Sequence, residues 1–373
     1  MRVAQIAPLF ESVPPQKYGG TERVVSYLTE ELVQQGHEVT LFASGDSQTK
    51  AELIAGCDYS LRLNSNYGSS TILHTLMLEK LRNRIYDFDI IHFHTDFFHF
   101  PILRNFSVPT LTTLHGRLDI PYISELYQEY KEYPLVSISD SQRAPIPGAH
   151  WCSTIHHGLP KQLYQFHGKK GSYAAFLGRI SPEKRPDRAI EIANRAGIPL
   201  KIAAKIDPVD KGYYEEKIKP LIESSADVEF VGEISDEEKN SFLGNASVLL
   251  FPIDWPEPFG LVMIEAMARG TPVIAFRNGS APEVIDDGLT GFLVNSIDEA
   301  VEKIALIPEL SRKKCFEVFE KRFSIEAVVK KYVSLYQKVI KEKQNNYEFN
   351  YLKMMKRRAL EWKTSSSLMT KLI

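Results

Sequence analysis

The stretch FPIDWPEPFGLVMIEAMARGTPVIAFRNGSAPE, Phe251 to Glu283, decides the fold. An apolar run, Ser247–Phe251, ends at Pro252, and a short loop with three prolines follows. A helical pattern then runs from about Phe259 to Arg269, punctuated by Gly270, before a second apolar run at Pro272–Phe276. This is one strand–loop–helix–strand unit, with its loop at the carboxyl end of the first strand, where open α/β sheets hold their ligands. Two carboxylates frame it, Glu257 before the helix and Glu265 two turns in. Phe259, Gly260 and Leu261 place backbone N–H groups at a helix start, which is a ready anion site. Gly260 has no Cβ to hold a ligand away. On that reading Glu257 accepts sugar hydroxyls beside a bound phosphate and Glu265 accepts a diol such as a ribose. The plainer reading makes Glu257 a loop carboxylate that favours the helix dipole and Glu265 a solvated helix residue.

The same alternation extends in both directions. Arg2–Ala7, Glu38–Ala43, Asp89–Phe93, Thr110–Leu114, Leu135–Ser139 and Trp151–His156 read as strands in the first half. A helix from about Thr21 to Gln35 separates the first two, with Gly36 as its stop. The second half repeats the pattern at Tyr173–Leu177, Leu200–Ala204, Val228–Val231, Val248–Phe251, Val273–Phe276 and Gly291–Val294, with a helix expected over Lys211–Ile222 among others. The expected fold class is therefore α/β, with two Rossmann-like doubly wound domains facing a cleft. A Gly/Lys segment near Phe166–Ser172 reads as the linker. The domains expected are 1–167 and 173–343, with a basic helical tail over 345–373.

Composition narrows the function classes. A chain of 373 residues with a net charge of −2 gives no reason to expect nucleic acid. Cys57, Cys152 and Cys315 lack metal or redox spacing and suit a reducing, cytoplasmic setting. Met1-Arg2 leads straight into a strand, so no signal peptide is expected, and no apolar stretch is long enough to span a bilayer. The tail carries Leu352, Met355, Leu360 and Trp362 among Lys353, Lys356, Arg357, Arg358 and Lys363. It reads either as an amphipathic helix on the inner face of the membrane or as a packed or frayed end.

Three further sites fall at strand ends. Gly19-Gly20-Thr21-Glu22 opens the first helix, although the spaced three-glycine dinucleotide pattern is absent. Gly178-Arg179 through Lys184 places two cations after the first strand of the second domain, suited to a diphosphate leaving group without a metal. His115-Gly116 ends the fourth strand of the first domain and is the one cleft histidine the sequence names for contact with substrate hydroxyls or a proton. His92, His94 and His99 tempt a metal reading. Only His92 and His94 share a strand face, though, and no carboxylate is placed to complete a site, so no metal and no cofactor are expected.

Together these motifs resemble the family 4 retaining glycosyltransferases of GT-B architecture. The resemblance rests on Gly19-Gly20-Thr21-Glu22, His115-Gly116, Gly178-Arg179 with Lys184, the spacing of Glu257 and Glu265, Gly270-Thr271-Pro272-Val273 and Pro282-Glu283, over roughly Met1 to Ile340. It implies hexose transfer from a UDP- or GDP-sugar to a hydroxyl, with retained anomeric configuration and no metal. Arg179 and Lys184 would bind the diphosphate with the amides of Phe259, Gly260, Leu261 and Gly20. Glu257 would hold the donor sugar, Glu265 the ribose, and His115 the sugar near its reacting face. Acceptors left open are a glycan, a lipid-linked oligosaccharide or a small molecule. Rival classes are a GT-B nucleotide-sugar epimerase and a non-catalytic sugar-nucleotide-binding protein. The chain departs from relatives at His156-His157-Gly158 and at Gly279-Ser280, both expected to lie away from the chemistry.

Overall fold

The computed structural model describes residues 1–16, 19–63 and 68–345. The first sheet contains β1 (Arg2–Ile6), β2 (Glu38–Ser44), β3 (Glu52–Cys57), β4 (Ile90–Phe93), β5 (Thr110–Thr113), β6 (Leu135–Ser137) and β7 (Trp151–Thr154). The second contains β8 (Tyr173–Arg179), β9 (Leu200–Lys205), β10 (Val228–Gly232), β11 (Ala246–Phe251), β12 (Val273–Phe276) and β13 (Gly291–Val294). Their spatial orders are β3-β2-β1-β4-β5-β6-β7 and β10-β9-β8-β11-β12-β13. Every pairing between these strands is parallel. Strands covered on both faces read as unbroken apolar runs, which is why the sequence shows them so plainly.

Two elements differ from expectation. β3, ELIAGC, is an edge strand that escapes the sequence reading, its short apolar run Leu53–Ala55 being bounded closely by Glu52 and Gly56. The helix expected over Lys211–Ile222 is broken: Lys211–Tyr213 is α-helical, Tyr214–Ile218 is a π turn, and Lys219–Glu223 resumes the α-helix. Pro220 accounts for this, because it has no N–H for the ladder and its ring crowds the preceding turn, which the wider π turn relieves.

Each sheet reverses its winding at its centre, between β1 and β4 in the first and between β8 and β11 in the second. The loops after these four strands are the ones that meet in the cleft. Helix α1 (Gly20–Gln34) follows β1, α2 (Asp236–Gly244) follows β10 and α3 (Leu261–Ala268) follows β11. The last described helix, α4 over 325–345, crosses back to the first sheet. There the Tyr332 hydroxyl lies 3.0 Å from Thr113 Oγ1, and the Tyr336 hydroxyl lies 2.7 Å from His92 Nδ1. One buried apolar cluster joins Val3 and Leu111 of the first sheet to Phe251, Met263 and Phe319 of the second half and to Tyr336.

A polar latch also ties the two halves. Glu283 accepts the backbone N–H groups of Asp140 at 2.7 Å and Ser141 at 2.8 Å, and lies 3.2 Å from His156 Nε2. Burial pushes the Glu283 carboxyl up, but the His156 and amide hydrogen bonds outweigh it and hold it below its ordinary 4.5. A depressed carboxylate stabilises the fold above its unfolded pKa, and that stability is lost as pH falls through the folded value. Glu283→Gln is therefore expected to cost about 1–3 kcal/mol at neutral pH. Melting temperatures measured against pH should show the gap from wild type narrowing below about pH 4.5.

Candidate active site

A cleft of about 1210 Å³ lies between the two sheets and is lined from both sides. Gly19, Gly20, His115, Arg179, Lys184, Glu257, Phe259, Gly260, Leu261 and Glu265 all line it, so residues as far apart as 19 and 265 converge. Its volume exceeds the usual range for a small-ligand pocket and suits two substrates. The amino ends of α1 and α3 meet here, because a Cβ built on Gly20 would stand 3.9 Å from Leu261 Cδ1. Amides in the first turn of a helix have no partner within it, so two such ends offer N–H groups to one anion. Gly260 is required for a reason the sequence does not show. Its φ is +78°, and a Cβ there would come within 2.8 Å of the Phe251 ring.

Lys184 and Glu257 form an ion pair across the loops after β8 and β11. Trp255 Nε1 donates to the same carboxylate oxygen, Oε2, at 2.7 Å, and the Lys184 ammonium lies 5.2 Å from the Trp255 ring centroid. The loops are stapled beneath the pair: Asp254 N donates to Glu183 O at 2.9 Å, and Arg185 Nη1 to Asp254 Oδ2 at 2.7 Å. Glu257 is also held by the segment expected to lie away from the chemistry. Ser280 N donates to Glu257 O at 3.0 Å and Ser280 Oγ to Phe259 O at 2.6 Å. A Cβ at Gly279 would stand 2.3 Å from the Glu257 amide nitrogen. Gly279-Ser280 is thus part of the site's scaffold. So is His157, which lines the cleft between His115 and Phe259, with ring centroids 5.3 and 5.0 Å away.

Arg179 is surrounded by carboxylates that the sequence did not associate with it. It donates to Glu183 Oε1 at 2.8 Å and to Asp207 Oδ2 at 3.4 Å, and Asp210 stands 3.7 Å away. Lys205 also pairs with Asp207, at 2.7 Å, and the Lys205 hydrogen bond draws the Asp207 carboxyl below its ordinary range. Glu265 is buried, accepts the Tyr164 hydroxyl at 3.0 Å and lies 3.5 Å from Lys239 Nζ. Lys239 in turn pairs with Asp236, which pairs with Arg23 of α1. Glu265 is therefore a fixed carboxylate inside a charged chain that reaches both halves.

His115 ends a buried hydrogen-bond chain whose directions can be read. Gln5 Nε2 donates to the Tyr336 hydroxyl at 3.1 Å, leaving Gln5 Oε1 as the acceptor for His94 Nε2 at 2.8 Å. Neutral His94 then carries its proton on Nε2, so its Nδ1 accepts from His115 Nε2 at 2.9 Å. His115 Nδ1 is left as a buried acceptor with no partner among the described residues. Burial lowers the His115 pKa to about 3, and His92, His94 and His157 are also held well below 6.5 by burial and by one another. Gln142 fixes the backbone on either side of His115 by donating to Leu114 O at 2.9 Å and Gly116 O at 2.8 Å. His115 is not the sole ionisable group of the first half at the cleft, as the sequence suggested. His94, His157, Glu11, Glu22 and Asp96 line it too.

The family model described as glycosyl transferases group 1 matches residues 165–321, and that described as glycosyltransferase family 4 matches residues 18–144. The chain belongs to the family 4 glycosyltransferases. This glycosyltransferase is 25% identical over 334 residues to a phosphatidyl-myo-inositol mannosyltransferase of Mycolicibacterium smegmatis, covering 80% of this chain and 82% of that protein. It is 35% identical over 136 residues to the D-inositol 3-phosphate glycosyltransferase of Streptomyces scabiei. That match covers 34% of this chain and spans only 30% of that protein. HepE of Anabaena, solved with UDP and glucose, superimposes with a TM-score of 0.71 at 17% identity, over 91% of this chain and all of that one. The likeness shows the fold, which is GT-B.

Among the described residues of the glycosyltransferase, no helix is long and apolar enough to cross a membrane. The basic tail expected over 345–373 lies, beyond its first residue, outside the described residues. Among His92, His94 and His99, the ring nitrogens have protein partners except His99 Nδ1. The tautomer chain gives a direct expectation. Nitrogen NMR of the imidazoles should show His115 neutral and protonated on Nε2 from about pH 5 to pH 9. In His94→Phe the His115 signals should shift toward a tautomer mixture.

Proposed function

We propose that this protein transfers a hexose from a UDP- or GDP-sugar to an acceptor hydroxyl with retention of anomeric configuration. The observation that carries the reading is the convergence of Lys184, Glu257, Arg179 and the amino ends of α1 and α3 on one cleft. HepE, of the same fold, was solved with UDP and glucose. Arg179, Lys184 and the amides of Phe259 to Leu261 bind the diphosphate. Glu257 takes the donor sugar's hydroxyls and Glu265 the ribose. The Lys184–Glu257 pair keeps both charges matched until a donor arrives, when phosphate oxygens compete for the ammonium and hydroxyls for the carboxylate.

Chemistry then proceeds on one face of the sugar. The bond from the anomeric carbon to the phosphate oxygen breaks, the acceptor oxygen bonds to that carbon, and the acceptor proton passes to the departing phosphate. Negative charge grows on the leaving group, where Arg179 and Lys184 stabilise it without a metal. His115 Nδ1, an acceptor, receives a hydroxyl of the donor sugar. Burial holds the cleft histidines of the first half below their ordinary pKa, which suits them to hydrogen-bond sugar hydroxyls.

Glu257→Gln, Lys184→Ala and Arg179→Ala are each expected to lower kcat roughly 10²–10³-fold while the proteins stay folded. Normal turnover in all three would sink the assignment. A thermal-shift panel of UDP-, GDP- and ADP-sugars should raise the melting temperature for a UDP- or GDP-sugar, with the same shift in excess chelator. A shift that vanishes with chelator would contradict the metal-free mechanism.

A further inference from the structure

Part of the cleft is left over once the donor groups are assigned, and it lies on the first sheet. Phe10, in the loop after β1, and Phe98, in the loop after β4, both line it. His74 sits between them, with ring centroids 5.5 Å from Phe10 and 5.2 Å from Phe98, the latter pair stacked at 14°. His74 is buried, and both ring nitrogens are occupied: Nδ1 donates to Ser70 O at 2.8 Å and Nε2 accepts Leu9 N–H at 3.2 Å. The imidazole is thus a neutral, immobile spacer, and the three rings form a rigid wall. Phe10 is nonetheless 40% exposed. Aromatic area kept open to water inside a polar cleft marks a binding surface.

We propose that this wall is the acceptor subsite and that the acceptor is an uncharged sugar whose ring stacks on Phe10 and Phe98. This rests on the glycosyl-transfer reading and goes beyond it by choosing among acceptor classes. The face of an aromatic ring carries partial negative charge and attracts polarised C–H groups, and one face of a pyranose is a set of such groups.

The charges on this side argue against a phosphorylated acceptor. Among the described residues its three guanidinium groups are matched by carboxylates, Arg62 by Glu11 at 3.0 Å, Arg117 by Asp119 at 2.7 Å and Arg23 by Asp236, so this side offers no excess of positive charge. Two further carboxyls, Glu22 and Asp96, line the same side. Burial pushes the Glu22 carboxyl up to about 7, helped by the Glu11 charge, so a phosphate beside it would meet an environment already unfavourable to anions. Hydroxyl groups suit that environment, since carboxyl and carboxylate oxygens accept from them.

The test uses the full chain and separates donor from acceptor. UDP and GDP binding are measured by calorimetry on wild type, Phe10→Leu and Phe98→Leu. The leucine variants keep apolar bulk and lose the π face. With the bound nucleotide saturating, saturation-transfer NMR is run with methyl glucoside, methyl galactoside and methyl N-acetylglucosaminide, and with glucose 6-phosphate and inositol 3-phosphate. The expected result is transfer to at least one neutral glycoside, with phosphorylated probes no tighter. Each leucine variant should weaken the neutral probe roughly fivefold to tenfold and leave nucleotide affinity unchanged. Overturning results are nucleotide binding with no neutral glycoside bound, tighter binding of the phosphorylated probes, or neutral binding indifferent to both substitutions. Failure of the wild type to bind UDP or GDP would instead remove the transferase reading beneath this one.

Discussion

The Lys184–Glu257 ion pair is the constraint around which the second half of the molecule is arranged. Both side chains are largely withdrawn from water, with exposures of 17% and 12%, and a buried charge without a partner is costly. The Trp255 N–H, the Ser280 backbone and side chain, and the Asp254–Arg185 staple all hold the two loops in the register that makes the pair. Gly279 follows from the same requirement, since any side chain there would strike the Glu257 backbone. A site prepared in this way carries little reorganisation at the moment of reaction, the condition under which fixed charges count most.

The first half contributes rigidity of a different kind. The histidines that line its side of the cleft, His74, His94, His115 and His157, are buried and held below their ordinary pKa. Burial keeps them neutral, and a single hydrogen-bond chain from Tyr336 through Gln5 and His94 makes His115 an acceptor. The chain begins on α4, the helix that crosses back after the second sheet is complete. The end of the described polypeptide therefore governs a group near its beginning. That same helix, with the Glu283 latch and the shared apolar cluster, sets how the halves meet. An interface with so much apolar packing resists large excursions, and the charged chain Glu265–Lys239–Asp236–Arg23 adds a polar tie between the halves.

Much of this was legible in the residues. Twelve of the thirteen strands among the described residues follow from apolar runs, most plainly the central ones, whose residues are buried on both faces. β3 was not, since its apolar run, Leu53–Ala55, is only three residues long between Glu52 and Gly56. The π turn before Pro220 was hidden for another reason: a helical pattern does not say how the chain absorbs a residue that cannot donate. Glu257, Glu265, Arg179 and Lys184 were visible from their spacing around glycines and prolines. Trp255 lay inside the quoted stretch, but its role depends on an indole hydrogen bond that spacing does not encode.

By itself the sequence determined the strand–loop–helix units, the parallel two-domain architecture, and the residue types at the ends of β1, β5, β8 and β11. Local pattern is enough for these, because strand burial, helix starts and glycine turns are properties of neighbouring residues. Only the tertiary structure decided which charge faces which, which tautomer His115 adopts, and what stands on the unassigned wall of the cleft. Tyr336 is 331 residues from Gln5 and Glu265 is 101 from Tyr164. Ion pairing, desolvation and ring stacking depend on separation in space, and at those separations along the chain only the folded protein supplies it.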